Sequence, residues 1–244
     1  APVCVTKVGW KSARCSNEWD QWQTAINKER DNTSSSFKRV DKVPPGCTLL
    51  RSWEMLTKKD CGTLKNRIIL DGSGEAIGED LDDAAKIYSS VVDVNNLKVM
   101  LATGLSSGAT LKLIDIKNAF IQADADIESE CIYVQPPPTH PDFGRCYWKL
   151  IENMYGRKSA PAHWSRTLRK FLVDELGFSA SAHDENIYQK TDAQGKIVCM
   201  IYVDDLSVLG WSCKQMDDFL DRITERFQCK PAETLSPGNP VRLL

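Results

Sequence analysis

From Ile197 to Val208 apolar side chains alternate, with Val198, Met200 and Tyr202 on one side and Cys199, Ile201 and Val203 on the other. That period of two predicts a half- or fully buried strand. Leu206, Val208 and Leu209 predict a second strand returning after it, so Asp204 and Asp205 fall at the tip of a hairpin. A third strand is predicted over Leu111 to Ile116, where Leu111, Leu113 and Asp115 share one face. Upstream, residues 49–57 and 63–70 predict two strands joined by Lys58, Lys59, Asp60, Cys61 and Gly62. Helical spacing appears four times. Trp19, Trp22 and Ile26 follow a Ser16 cap, and Leu97, Met100 and Leu101 lie on one side of residues 95–104. Trp164, Leu168, Phe171, Leu172 and Leu176 follow Ser159 and Pro161 and stop at Gly177. Met216, Phe219, Leu220, Ile223 and Phe227 follow Ser212. Residues 72–83 read as a Gly- and acid-rich loop, and residues 136–141 as a proline-rich connection. The order of strand, helix, hairpin and helix predicts an α+β fold, an antiparallel sheet with helices on one face.

Two adjacent carboxylates on an apolar hairpin need a reason. An Asp-Asp pair by itself is also an ordinary polar turn. Burying an unpaired carboxylate costs about 3 kcal/mol or more, so a cation is the natural recipient. Asp115, on a face that is otherwise core, turns the balance. Asp115, Asp204 and Asp205 together make a cluster able to hold two Mg²⁺ ions about 3.5–4 Å apart. Hard cations of this kind take oxygen ligands and accept phosphate oxygens in the remaining positions. That is the chemistry of nucleotidyl transfer.

Composition narrows the field without choosing a function. The 244 residues are 42% hydrophobic and 26% charged, in the range of ordinary globular domains. A net charge of −2 does not announce a nucleic-acid binder, so any such binding rests on local patches. Nine cysteines without Cys-x-x-Cys spacing argue against a zinc site or a disulfide framework and for reduced thiols in an intracellular compartment. No apolar run approaches about 18 residues, so no membrane span and no signal peptide are expected. A start at Ala1 is what a processed or excised fragment would show.

Asp115, Ile116, Lys117, Asn118, Ala119 and Phe120, then Tyr133, Val134, Gln135, Pro136 and Pro137, resemble the first catalytic motif and following strand of a known family. The likeness continues through Met154, Tyr155 and Gly156, through Ala160, Pro161 and Trp164, and to Tyr202, Val203, Asp204 and Asp205. Glu18 and Trp19, the strand from Lys65 to Leu70, and the run from Tyr88 to Val92 fit as well. This pattern resembles the reverse transcriptases of copia-type, Ty1-like LTR retrotransposons. It covers about residues 17 to 244, and residues 1–16 match nothing recognised.

The resemblance implies a right-hand polymerase fold: fingers over 17–110 with a β-hairpin, palm over 111–244 with an interleaved fingers segment around 131–160, and no thumb or RNase H part. Val241 to Leu244 resemble the start of the family's primer grip. The implied catalytic and metal-binding residues are Asp115, Asp204 and Asp205, with two Mg²⁺ ions or Mn²⁺ as a substitute. Lys65 and Arg67 emerge from one strand face and match the family's triphosphate-binding strand. The family usually has a further Lys where this chain has Asp71, which weakens the local positive field. Phe120 matches the aromatic that excludes a 2′-hydroxyl, Tyr202 and Gly156 the nucleotide site, and Arg157 and Lys158 the contacts to template and primer. Lys230 lies near the family's basic residue that protonates pyrophosphate. The implied partners are an RNA or DNA template, a DNA primer and a dNTP, with no membrane. The implied setting is a cytoplasmic virus-like particle, the nucleus, or both. His163 and His183 have no partner at metal-ligand spacing. Two other readings stay open: a degenerate or host-adopted fragment serving as a non-catalytic module, and another two-metal palm enzyme such as a cyclase or nuclease.

Overall fold

A computed structural model describes residues 5–75 and 87–236. Residues 76–83 of the expected loop and the segment 241–244 lie outside the described residues. In chain order the strands are β1 (Val5–Val8), β2 (Phe37–Val40), β3 (Thr48–Leu50), β4 (Ser52–Lys59), β5 (Leu64–Leu70), β6 (Thr110–Asp115), β7 (Ile132–Val134), β8 (Tyr147–Leu150), β9 (Ser179–Ala180), β10 (Ile187–Asp192), β11 (Gly195–Tyr202), β12 (Asp205–Gly210) and β13 (Glu233–Thr234). The chain divides into two units. One comprises Ala1–Ile87 and Ala123–Ala160, the other Tyr88–Gln122 and Pro161–Leu244.

In the first unit, β4 and β5 form the expected hairpin, and β1 adds to the free side of β4. Residues 5–8, which matched nothing recognised, are therefore part of the fold. Helix Trp19–Thr33 lays Trp22 and Ile26 against Leu56 and Ala13, so its tryptophans serve the core as their spacing predicts. Its cap is Glu18 rather than Ser16, whose hydroxyl accepts from the Glu18 amide. Arg30 grips the fully buried Glu54 carboxylate through two nitrogens, at 2.8 and 3.0 Å. A second sheet runs β2-β8-β7-β3. Here the structure differs from expectation: residues 49–50 leave the hairpin and pair in parallel with β7. Arg51 separates β3 from β4.

In the second unit, one antiparallel sheet runs β13-β6-β12-β11-β10-β9. The apolar alternation of β11 and β12 reflects cover on both faces. Leu111, Leu209, Val198 and Met200 meet Leu97 and Leu101 of helix Val94–Ser106. On the opposite face, Gly210 lies so close to Met216 of helix Cys213–Arg226 that a Cβ there would stand 2.7 Å from Met216 Cε. Lys112 reaches Asp217 on that helix at 3.3 Å. Helices were expected on one face alone, and Val94–Ser106 adds a layer on the other. The expected boundary at residue 110 thus falls inside this unit, where that helix leads into β6.

Of the caps expected at Ser16, Ser159 and Ser212, Ser212 is borne out, and Asp93 caps a helix for which no cap was expected. Asp93 accepts from the Asn95 and Asn96 amides, and Ser212 from the Gln215 amide. Ser159 Oγ makes no hydrogen bond ahead of helix Ala160–Lys170. That helix continues as a π turn over Phe171–Glu175 and ends at Gly177, φ +73°.

Candidate active site

Tyr202 and Asp205 pair across the end of β11 and β12, which leaves Val203 and Asp204 as a two-residue turn. Val203 has φ +58°. A β-branched residue rarely takes that left-handed conformation, and holding it costs about 1–3 kcal/mol. Something must over-determine it. Trp164 Nε1 donates to the Val203 carbonyl at 2.7 Å. The indole is 2% exposed and meets Phe227 edge-on at 5.2 Å, and Phe227 meets Phe171 in the same way at 5.2 Å.

Asp115 ends β6 directly opposite Asp205, and the Ile116 amide donates to the Asp204 carbonyl at 2.9 Å. Two distant chain segments thereby bring three acids to one end of one sheet. Opposed residues of an antiparallel pair have Cβ atoms about 4.5–5.5 Å apart, close enough for their carboxylates to repel when charged. A third segment supplies the balancing charge. The Lys230 amide donates to the Asp115 carbonyl at 2.9 Å, the Lys117 amide donates to the Gln228 carbonyl at 2.8 Å, and Ile116 bridges to Cys229. The Lys230 ammonium donates to Asp115 Oδ2. Burial, aided by the negative charge of Asp115, pushes the Cys229 thiol up to about 11.

Among the described residues, no group of three or more His, Cys, Asp or Glu side chains is disposed to hold a metal ion. The backbone assembles the acids, while Lys230 occupies one oxygen of Asp115. The donor set is carboxylate oxygen, as hard cations require, and positive charge already sits on it. Phe120 lies in the turn after Asp115 and is half-buried. Asn118, at φ +49°, bends the chain there. Tyr202 is exposed.

The remaining expected residues lie in the first unit. Lys65 and Arg67 are half-buried on β5, and the Arg67 guanidinium carbon lies 5.4 Å from the centre of the Tyr155 ring. Arg67 Nε is buried without a hydrogen bond. Gly156, at φ +92°, makes its close approach to β5: a Cβ there would collide with the Leu70 carbonyl and stand 2.7 Å from Ile69 Cγ2. The neighbouring Tyr155 carbonyl accepts from the Leu70 amide at 2.8 Å. Arg157 departs from expectation. Its side chain has no exposed surface and donates to Asn153, Glu75 and Glu130. A phosphate contact would require breaking those pairs. Lys158 donates to the Ser73 and Glu75 carbonyls. Asp71 accepts from the Ser73 amide and hydroxyl, bonds that hold its carboxyl below the usual range.

The family model described as "Reverse transcriptase (RNA-dependent DNA polymerase)" matches residues 40–237. The chain belongs to that family. Among curated relatives, this reverse transcriptase domain is 27% identical over 225 residues to the retrovirus-related Pol polyprotein from transposon RE2 of Arabidopsis thaliana. That match covers 88% of the chain and 15% of the relative. The transposon Ty1-GR1 Gag-Pol polyprotein of Saccharomyces cerevisiae is 22% identical over 182 residues, 75% of the chain and 10% of the relative. The domain is thus of the copia, Ty1-like kind and spans a small part of the polyproteins it matches. The fold resembles telomerase from Candida albicans, TM-score 0.52 at 7% identity, over 88% of this chain and 45% of that one.

Sequence reasoning placed the reverse transcriptase's acids but not what holds them. Trp164 read as helix core, which it is. The signal available was that a buried indole N–H needs a partner. The strain at Val203 carried no signal, because valine is the last residue expected there.

Proposed function

We propose that this chain is the nucleotidyl-transferring part of a copia-type reverse transcriptase, adding dNTPs to a DNA primer on an RNA or DNA template. The observation that carries the reading is the meeting of Asp115 with Asp205 across β6 and β12, with the Asp204 carbonyl bonded to Ile116. With the Lys230 ammonium moved off Asp115 and the three side chains turned together, these carboxylates would hold two Mg²⁺ ions, for which Mn²⁺ is a substitute. When bound, the ions lower the pKa of the primer 3′-hydroxyl and neutralise charge on the leaving pyrophosphate.

The protein's own groups do the rest. Lys230 neutralises Asp115, and a cation arriving there would compete with its ammonium for that oxygen. The Lys230 ammonium is then at hand to donate a proton to the leaving group. Phe120, on the turn after Asp115, excludes a sugar bearing a 2′-hydroxyl by occupying its space. Lys65 and Arg67 are the proposed triphosphate ligands, with a guanidinium suited to bidentate grip of phosphate. Tyr202 belongs to the proposed nucleotide site and Lys158 to the proposed contact with template and primer, while Gly156 serves its close approach to β5. The departure at Asp71 has a local role, capping Gly72–Gly74, so it does not favour the reading as a non-catalytic module.

The test is templated extension of a DNA primer on RNA with Mg²⁺. Asp204→Asn is expected to abolish extension and leave the fold intact, because it alters a carboxyl at a hairpin tip outside the packed core. Extension by Asp204→Asn close to that of the unaltered chain sinks the reading, and a chain inactive on every template favours the module.

A further inference from the structure

We infer that Trp164 is a positioning residue for the acidic turn: its indole N–H holds the strained Val203 carbonyl and so fixes where Asp204 stands relative to Asp115. The inference rests on the polymerase reading above. Three observations carry it. Val203 sits at φ +58°, which nothing in its own chemistry favours. The one hydrogen-bond donor of a 2% exposed indole goes to that residue's carbonyl, at 2.7 Å. The Asp204 carbonyl, one residue on, accepts from Ile116, the residue after Asp115, at 2.9 Å. A turn relaxed at Val203 would rotate the peptide that joins it to Asp204, and the carboxylate of Asp204 would move with it.

The indole is itself held. Phe227 meets it edge-on at 5.2 Å and opens the segment in which Gln228 and Lys230 bond to Lys117 and Asp115. One aromatic contact therefore braces both sides of the acid cluster. Edge-to-face pairs of this kind fix orientation as well as burying area.

Trp164→Phe keeps an aromatic ring beside Phe227 and removes the donor. Two readouts apply to the full chain: binding of Mn²⁺ alone, followed by the electron spin resonance of the free ion, and steady-state primer extension. Trp164→Phe is expected to weaken Mn²⁺ binding at least threefold and to lower kcat about tenfold, with KM for dNTP within about twofold. A glycine at 203 takes φ above zero without strain, so the turn no longer depends on the indole. In a Val203→Gly background, Trp164→Phe should therefore cost less than threefold in kcat. Unchanged Mn²⁺ binding, or an equal loss in both backgrounds, overturns the inference and leaves Trp164 a packing residue. If Trp164→Phe does not fold, Phe227→Leu is read in its place. It loosens the indole without removing the donor, and an unaltered Mn²⁺ affinity there is equally fatal. If the unaltered chain binds Mn²⁺ no better than Asp204→Asn and extends no primer, the polymerase reading falls and takes this inference with it.

Discussion

Arg157→Ala is expected to act on the fold before it acts on any nucleic acid. The guanidinium has no exposed surface and donates at 3.0 Å to Asn153, at 3.1 Å to Glu75 and at 2.5 Å to Glu130. Removing it strands the Glu75 carboxylate, whose side chain is only 10% exposed, without its cation. Breaking a buried pair in this way costs about 3–5 kcal/mol. Glu130 is 34% exposed and can return to water, which argues for the lower end of that range. At about 2–4 °C per kcal/mol for a chain of this size, a loss of about 3 kcal/mol lowers the thermal midpoint by about 6–12 °C. The assay is thermal unfolding followed by circular dichroism. Lys38→Ala is the control: it breaks an exposed pair with Glu128 and should stay within about 0.5 kcal/mol. An unchanged midpoint in Arg157→Ala, with weaker template binding and a shallower salt dependence, would refute the reasoning and return Arg157 to the phosphates.

Phe120→Val should raise ribonucleotide over deoxynucleotide incorporation, because it opens the space a 2′-hydroxyl would fill. An unchanged ratio in single-nucleotide extension would leave Phe120 a core residue. Glu29 gives a pH test. Burial holds its carboxyl above the ordinary value of 4.5, against the Ile68 amide and the charges of Lys65 and Arg67. The folded state therefore binds this proton more tightly than the unfolded state. Its contribution is fully present below about pH 4.5 and is lost as pH rises through the folded pKa. Glu29→Gln keeps an acceptor for Ile68 and escapes that loss, so urea unfolding should show a smaller decline in stability from about pH 5 to about pH 8 than in the unaltered chain. Equal declines would show that Glu29 is not the group responsible.

What sequence disclosed depended on how much chain each feature occupies. The hairpins β4–β5 and β11–β12 were legible because alternation persists over six to eight residues in each strand. Helix Cys213–Arg226 was legible because Met216, Phe219 and Ile223 repeat a buried stripe. The parallel pairing of β3 with β7 was not, since three residues carry no period and the partner lies far along the chain; a strand at Tyr133 and Val134 was expected only through the resemblance. Asp115 and Asp204 could be brought together from sequence only by their shared apolar setting and by resemblance. The fate of Arg157 was hidden because its partners Glu75 and Glu130 are distant in sequence. A charge in a sequence shows its sign and not its burial.

The interleaving of the two units has a consequence for synthesis. A ribosome releasing this chain from its N-terminus delivers β2 well before β8, its antiparallel partner, with Val40 and Tyr147 separated by roughly 107 residues. At about 5–20 residues per second, β2 waits roughly 5–20 s for that partner. Asp115 likewise leaves the ribosome ahead of Asp205, with the segment Ala123–Ala160 of the other unit emerging between them. Until then β6 has no neighbour on either side, because β12 and β13 are both still to come. Nascent chains of this protein therefore carry bare strand edges of the kind that invite pairing with other chains. A pause while residues 116–147 are being added would leave β2 and β6 without partners at the same time, and a holding chaperone is expected to act on both edges there.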